Sequence, residues 1–173
     1  MPTELSIRRL AAVSDAQIHD LAALLIDCVD GGASVSFMHP LTMQRALAFW
    51  RHVAEDVGRG ARALLIAEDT AGIVGTVQLV LEQPENQPHR ADLAKMLVHR
   101  RARRRGVGAA LMQAAEQLGR DCGKSLLVLD TVTGGDAERL YPRLGWQRAG
   151  VVPGYALMPD GAPCATTYFY RNL

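Results

Sequence analysis

The chain has 173 residues, a formal net charge of +1 and 49% hydrophobic residues. This composition argues against a disordered chain, a collagen repeat and a coiled coil, and no apolar run approaches the roughly 20 residues that span a bilayer. The cysteines Cys28, Cys122 and Cys164 are odd in number and widely spaced, which favours a reducing cytoplasm over a disulfide framework and gives no metal-ligand spacing. We therefore expect one cytoplasmic domain over residues 5–173.

The small net charge hides a concentration of positive charge in one segment. Arg100, Arg101, Arg103, Arg104 and Arg105 supply five of the 19 basic residues, and without them the chain has a net charge of −4. A nucleic-acid-binding protein usually spreads its basic residues over several elements. The concentrated patch instead favours a small polyanionic ligand.

Hydrophobic periodicity divides the chain into strands and helices. Ser14 is a candidate N-cap of the first helix, Pro40 is expected to open the second, and Asp136 to cap the fourth. A hairpin followed by strand–helix–strand units predicts a mixed α/β sheet. The predicted strands are residues 5–10, 62–68, 73–81, 90–98, 124–131, 146–152 and 165–171, with a loop containing Pro153-Gly154 and Asp160-Gly161 before the last, and the predicted helices end before Gly31, at 57, at 119 and near 144.

Residues 103–109, which we call the arginine turn, join a predicted strand to a predicted helix. Their sequence is Arg103-Arg104-Arg105-Gly106-Val107-Gly108-Ala109. The first N–H groups of a helix lack intrahelical partners, and the helix dipole favours an anion there. Glycine lets the backbone turn sharply and approach a ligand closely. The arginine turn therefore predicts a phosphate-binding site rather than a solvated run of charge.

A second glycine-containing segment is a weaker candidate. Residues 119–125 look like a P-loop but place three residues between the two glycines, where that motif needs four. The segment also follows a predicted helix and leads into a strand, the reverse of a P-loop. Gly119 and Gly123 are therefore interpreted as a helix C-cap and a turn residue.

Two motifs separated by one strand resemble the GNAT family of acetyl-CoA-dependent N-acetyltransferases. The first is the arginine turn, Arg-x-x-Gly-x-Gly, between a strand and a helix. The second is Leu-Tyr-x-x-x-Gly-aromatic at Tyr141, a tyrosine that on its own is more typical of packing than of catalysis. The resemblance covers residues 5–173 and implies an α/β (α+β) GNAT-like acyl-CoA N-acyltransferase fold, a mixed central sheet of about seven strands flanked by about four helices.

The resemblance also implies roles for residues of this chain. Acetyl-CoA would be the cosubstrate, with no metal. The pantetheine arm would pair with the strand at Met96, Leu97 and Val98, and Tyr141 would both contact the cofactor and protonate the departing thiolate. The pyrophosphate would lie against the backbone of Arg103, Arg104, Arg105, Gly106, Val107, Gly108 and Ala109.

Within the family, the loops are most similar to tabtoxin-resistance-type acetyltransferases. One departure is Gly134, where many members carry an asparagine that contacts the cofactor. The departure bears on a side-chain contact and leaves the backbone cradle intact. The similar segments are Gly31-Gly32-Ala33-Ser34-Val35 with Phe37-Met38, Leu129-Asp130-Thr131, and Pro153-Gly154-Tyr155 with Pro159-Asp160-Gly161.

Acetyl transfer to an amine benefits from a general base. An alkyl ammonium of pKa about 10.4 costs about 4.6 kcal/mol to deprotonate at pH 7. Asp130 ends a strongly apolar strand, and Asp92 lies near the start of another. We predict that both carboxylates hold the amine. The structural alternative for Asp130 is a turn or capping role, and for Asp92 it is an exposed position on a strand. Residues 31–39 are interpreted either as an ordinary helix connection or as a wall of the acceptor site.

Acetylation of a small primary amine is therefore the leading hypothesis, with acetyl-CoA and the amine as partners. Acetylation of a protein lysine or N-terminus needs an open peptide groove, and a non-catalytic CoA-binding protein would not need Tyr141 or Asp130. Nucleic-acid binding by the arginine cluster is a further alternative that strong salt dependence would support. We expect no nucleic acid or membrane partner, and the resemblance implies a homodimer.

Overall fold

The computed structural model describes residues 5–173 and contains one seven-stranded sheet within them. Four helices flank the sheet, so the predicted fold class is confirmed. The strands are β1 (Ser6–Leu10), β2 (Arg62–Asp69), β3 (Gly72–Val80), β4 (Arg90–Val98), β5 (Leu126–Val132), β6 (Gln147–Leu157) and β7 (Pro163–Asn172), and the helices are α1 (Asp15–Asp30), α2 (Met43–Gly58), α3 (Val107–Asp121) and α4 (Asp136–Arg143).

The strand order, β1-β2-β3-β4-β5-β7-β6, places β4 and β5 at the centre of the sheet. These two strands are parallel, whereas all other neighbours are antiparallel. They pair only where Arg90, Ala91 and Asp92 face residues 126–128. Beyond Asp92 the two strands separate, so the sheet splays open along residues 93–98 of β4.

The two faces of the sheet are covered by different helices. On one face α3 buries Leu111 and Met112 against Leu127 and Phe169. On the other face α1 and α2 bury a second core that includes the fully enclosed Trp50. The amphipathic helices thus hold the sheet rigid on both sides of the splay.

Of three predicted helix starts, one is confirmed and two differ from the structure. Ser14 caps α1 as predicted, and its hydroxyl accepts from the Gln17 N–H at 3.2 Å. Pro40, however, does not open α2, because the hydroxyl of Thr42 caps that helix and the chain becomes helical only at Met43. Asp136 is likewise the first residue of α4 rather than its cap, which is Gly135.

Two glycine positions were also misplaced by the sequence patterns. Gly119 lies inside α3, whose C-cap is Cys122, and packs closely on Leu173: a Cβ there would lie 2.7 Å from Leu173 Cδ1, so the leucine side chain would have to shift. Gly123 forms the turn that was predicted, at φ +74°. Pro153-Gly154 does not form a loop but lies within β6 at an irregularity of its pairing with β7.

Candidate active site

A cleft of about 830 Å³ lies where β4 and β5 separate. Its walls come from the open edges of both strands, from the arginine turn and the start of α3, and from the connection between α1 and α2. The side of α4 that carries Tyr141 closes it. Of the predicted cofactor residues, Met96, Leu97 and Val98 line the cleft, and so do Arg103, Arg104, Gly106, Val107, Gly108 and Ala109.

A β-bulge at Lys95 shapes the β4 wall. Thr76 of β3 pairs with Leu97, and Gln78 pairs with Ala94, so one residue of β3 faces two of β4. Lys95 has φ +52°, a left-handed backbone conformation that residues other than glycine rarely adopt. The bulge sends Met96 towards α3, while Lys95 contacts Ser36 on the opposite face.

The arginine turn presents a row of free backbone donors. Arg104 and Gly106 both have positive φ, +59° and +79°, and Gly106 is the N-cap of α3 without a side chain to cap it. The N–H groups of Arg104, Gly106, Val107, Gly108 and Ala109 donate to no acceptor within residues 5–173. Such a nest of N–H groups at a helix N-terminus is an anion-binding site.

The five arginines of the basic patch divide into anchors and cleft residues. Arg100 donates to Asp27 at 2.5 Å and Arg101 to Asp69 at 2.6 Å, while Arg105 lies 3.8 Å from Asp69 and does not line the cleft. Arg103 donates to the Val98 carbonyl at 3.4 Å, and Arg104 makes no ion pair with a described residue. The positive charge left for a ligand is therefore mainly that of Arg103 and Arg104.

The two anchoring carboxylates are ionised and largely buried. The side chains of Asp27 and Asp69 are 12% and 3% exposed. The hydrogen bond from Arg101 holds the pKa of Asp69 below its usual value. Burial alone would raise the pKa of Asp27, but the hydrogen bonds from the backbone and side chain of Arg100 outweigh it and lower the pKa. Both carboxylates thus fix the start of the arginine turn by charge.

Tyr141 combines a buried ring with an unengaged hydroxyl. The ring is 4% exposed and contacts Trp146 and Phe169 edge-on or tilted, with centroids 6.1 and 5.5 Å away. The hydroxyl donates to no described residue, and Tyr141 lines the cleft. Burial, with a smaller effect of the Asp130 charge, raises the pKa of Tyr141, so the phenol stays protonated at neutral pH. The arrangement suits a proton donor.

The loop before α4 is held in place by Glu138. Its carboxylate accepts from the Gly134 N–H and from the Thr167 hydroxyl, the latter at 2.9 Å. The bond from Gly134 is the main cause of the lowered pKa of Glu138. Glu138 of α4 therefore holds both the backbone of Gly134, which has φ +85°, and Thr167 of β7, and Gly134 offers no side chain to the cleft.

A second cavity of about 310 Å³ adjoins the cleft and shares Asp130 and Ser36 with it. The Asp130 carboxylate accepts from the Thr166 hydroxyl at 2.8 Å and has one oxygen without a hydrogen bond from a described residue. The connection between α1 and α2 meets the β6–β7 hairpin at the side of this cavity: Ser34 Oγ donates to the Leu157 carbonyl at 3.1 Å, and the His39 N–H to the Pro159 carbonyl at 3.0 Å.

Asp92 lies on the same face but outside both cavities. Its carboxylate accepts from Arg90 and, at 3.1 Å, from Gln83 Nε2. Its charge reaches Tyr168, whose pKa is raised to about 12, chiefly by a hydrogen bond with Tyr155 and then by burial, Asp130 and Asp92. The structure thus brings Asp130 and Tyr141 to the cleft and leaves Asp92 at its periphery.

Several residues of this region escaped the sequence analysis. Lys95, Thr166 and the hydroxyl pair of Tyr155 and Tyr168, 2.9 Å apart, all lie around Asp130. The only available signal was that Lys95 is one of just two lysines in a chain rich in arginine, and it interrupts an apolar strand.

Within residues 5–173 no cluster of His, Cys, Asp and Glu could hold a metal ion. None of the helices in that range has the length and apolar character that crossing a bilayer requires.

Comparison with known proteins identifies what this arrangement is similar to. The model of the acetyltransferase (GNAT) family matches residues 33–146. An N-acetyltransferase from Staphylococcus aureus Mu50 superimposes with a TM-score of 0.81 at 15% identity, covering 98% of this chain and 99% of that one. A ribosomal-protein-alanine N-acetyltransferase from Brucella melitensis gives 0.83 at 20%, covering 97% and 99%. A protein from Salmonella typhimurium assigned as an acetyltransferase, solved with its cofactor acetyl-CoA, gives 0.79 at 18%, covering 99% and 95%.

Proposed function

The chain belongs to the acetyltransferase (GNAT) family, and from this premise we propose that it moves the acetyl group of acetyl-CoA directly to a primary amine of a small molecule. The acetyl-CoA-dependent transfer is the activity of the family. The nature of the acceptor is our proposal, and the small cavity beside Asp130 is the observation that carries it.

The volume of this cavity and its walls favour a small acceptor. About 310 Å³ is at the lower end of the range of small-molecule sites. Ser34 and Leu157, which both line the cavity, are joined by a hydrogen bond, so two of its walls are tied together where a protein substrate would need an open groove. We therefore place acetylation of a protein lysine or N-terminus second.

The cleft has the donors that acetyl-CoA requires. The unengaged N–H groups of the arginine turn, with Arg103 and Arg104 beside them, suit a pyrophosphate. The open edge of β4 at Met96, Leu97 and Val98 suits the amides of the pantetheine arm, as an added strand would. Arg105 lies outside the cleft, and its guanidinium faces Asp69.

Different residues around the splay carry out different steps of the acetyl transfer. Asp130 holds the ammonium and takes its proton, directly or through water, and Asp92 adds negative charge from the periphery. A backbone N–H of the open β4 edge stabilises the charge that develops on the carbonyl oxygen. Tyr141, which burial keeps protonated at neutral pH, donates its proton to the departing sulfur.

The tabtoxin-resistance-type resemblance suggests a role in detoxification or in resistance to an antibiotic or toxin. This finer assignment stands on the similar loop segments, some of whose residues line the small cavity, among them Phe37, Met38 and Tyr155. The cytoplasmic location and the homodimer also remain predictions, and sedimentation at micromolar concentration tests the latter.

The proposed function is tested by following thiol release from acetyl-CoA in the presence of a panel of acceptors. The panel comprises small primary amines, peptides with one lysine and peptides with a free N-terminus. We expect release with small amines at rates at least about 10-fold above those with peptides. Faster release with peptides would establish protein acetylation instead. Binding of acetyl-CoA without release for any acceptor would establish a non-catalytic CoA-binding protein.

A further inference from the structure

Lys95 is a cation without an anionic partner on the acceptor side of the sheet. Its Nζ donates to Ser36 Oγ at 3.1 Å and lies 5.6 Å from the centre of the Phe49 ring. No carboxylate of a described residue forms an ion pair with it. Burial lowers the pKa of Lys95, as does the nearby Arg62, whereas Asp130 raises it. A partly buried ammonium is costly unless a counter-ion pairs with it.

A buried donor without an acceptor belongs to the neighbouring strand. Arg62 donates to Gln78 Oε1 at 2.6 Å, which fixes the amide so that Nε2 points the other way. This Nε2 is buried and has no acceptor among the described residues. Gln78 pairs with Ala94, the residue before Lys95. Arg62 is held by Asp56 of α2, and Phe49 also belongs to α2, so Gln78 Nε2 and the Lys95 ammonium are both on the α2 face.

The carboxylate of the same region is that of Asp130. It lines both cavities, and Lys95 lines the larger one. The two charges are close enough that Asp130 raises the pKa of Lys95. The arginine turn cannot supply the missing anion, because the groups that it would bind lie at the start of α3, on the opposite face of the sheet from Phe49.

We propose that the acceptor is a small dipolar molecule, with its primary amine at Asp130 and a carboxylate at Lys95. The inference rests on the proposed function and names its substrate class, amino acids and their close analogues. Lys95 would repel the ammonium of a simple alkylamine, whereas a carboxylate on the acceptor neutralises Lys95 and leaves the amine to Asp130. Lys95 is thus a specificity-determining residue rather than a catalytic one.

The test uses pairs of amines that differ only by a carboxylate. L-norvaline is paired with n-butylamine, L-leucine with isoamylamine, and β-alanine with ethylamine. Thiol release at saturating acetyl-CoA gives kcat/KM for each member in wild type, Lys95→Met and Lys95→Arg. The members of a pair also differ in amine pKa. The test is therefore how far the ratio of their kcat/KM values changes from wild type to variant, and not the ratio itself.

We expect Lys95→Met to reduce the preference for the carboxylated member by about 10- to 100-fold, through KM, as the loss of a charge-assisted bond implies. Lys95→Arg should keep most of the preference. Arg51→Met, which removes a positive charge from an exposed position of α2, should keep all of it. An unchanged ratio in Lys95→Met overturns the inference and leaves the proposed function standing. No release with any member overturns both.

A second measurement uses only the wild-type protein, so the inference can still be tested if Lys95→Met does not fold. Valerate, which has the carboxylate but no amine, should compete with L-norvaline, whereas n-pentanol should not. In thermal unfolding with free CoA, valerate should also stabilise the wild-type protein. If valerate neither competes nor stabilises at concentrations where L-norvaline saturates the enzyme, the carboxylate site does not exist.

Discussion

Removing the hydroxyl oxygen of Tyr141 tests one chemical step, the protonation of the departing thiolate. Tyr141→Phe keeps the ring that contacts Trp146 and Phe169 and removes a hydroxyl that no described residue engages. We expect kcat to fall by about 10²-fold, as for loss of a general acid, with the midpoint of thermal unfolding almost unchanged. Steady-state kinetics at saturating acetyl-CoA measure the loss. A variant with the wild-type kcat would remove Tyr141 from the mechanism.

Asp130 and Asp92 form a matched pair of carboxylates that differ in position. Asp130→Asn should lower turnover by at least about 10²-fold while the affinity for acetyl-CoA stays close to wild type. Asp92→Asn should lower turnover by less, because the Asp92 carboxylate lies outside both cavities and is held by Arg90. Amine-dependent thiol release and acetyl-CoA titration separate the two effects. If both variants retain full turnover, the anionic pocket is assigned incorrectly.

At the scale of elements, the arginine turn depends on an anchor from the β2–β3 hairpin. Asp69 holds Arg101 and lies near Arg105, and its side chain is almost fully buried. Asp69→Asn should raise the KM for acetyl-CoA several-fold, because the turn loses its fixed position, and should leave the KM for the amine nearly unchanged.

The control for this anchor is Asp20→Asn in α1. Asp20 is exposed and lines neither cavity, so its replacement should leave the KM for acetyl-CoA unchanged. Equal effects of the two variants, or a larger effect of Asp69→Asn on the amine than on acetyl-CoA, would show that Asp69 does not act through the turn.

Local sequence was sufficient to predict seven strands and four helices, because their apolar periodicity directly encodes burial. The boundaries that failed depend on details that periodicity does not carry. Thr42 rather than Pro40 begins α2 because its hydroxyl accepts from Arg45. Gly119 was taken for a C-cap because its packing against Leu173 arises only in the folded chain.

The candidate site was predictable where a motif is contiguous and not where it depends on tertiary pairing. The arginine turn and Tyr141 are readable in the sequence. The bulge at Lys95 depends on the register with β3, and the anchors Asp27 and Asp69 are 73 and 32 residues from the arginines that they bind. Because Asp27 and Asp69 bind Arg100 and Arg101, the basic patch has less positive charge available for a ligand than its five arginines indicate.

At the scale of the molecule, buried ion pairs make the stability depend on pH. Arginine partners lower the pKa of Asp56 and Asp69, and Arg100 does the same for Asp27 despite burial. The folded pKa values lie below the unfolded value of about 3.9, so the folded state binds fewer protons than the unfolded chain in acid. The stabilisation is complete above that pH and is lost as the pH falls towards the folded values.

Urea unfolding at a series of pH values measures this dependence. We expect the free energy of unfolding to decline below about pH 4, and to decline less steeply in Asp56→Asn, which removes one of the three groups. Asp20→Asn, at an exposed position, is the control and should follow the wild type. A wild-type stability that is constant down to pH 3, or a slope in Asp56→Asn equal to that of wild type, would contradict this account.

The single sheet also predicts cooperative unfolding of the whole chain. Strands from both ends of the described chain, β1 and β7, belong to the same sheet, and α3 packs across it. We expect residues 5–173 to unfold as one domain, with coincident transitions in far-ultraviolet circular dichroism and tryptophan fluorescence. Separate transitions would indicate two independently stable units.

The central claim is that the splay of β4 and β5, together with the arginine turn, binds acetyl-CoA. Thermal unfolding with acetyl-CoA, free CoA or ATP tests it most directly. At 100 times its dissociation constant a ligand adds about 2.7 kcal/mol of stability, which for a chain of this size raises the midpoint by roughly 5–10 °C. We predict this rise with acetyl-CoA and with CoA and little change with ATP. No rise with millimolar acetyl-CoA, or an equal rise with ATP, would contradict the account.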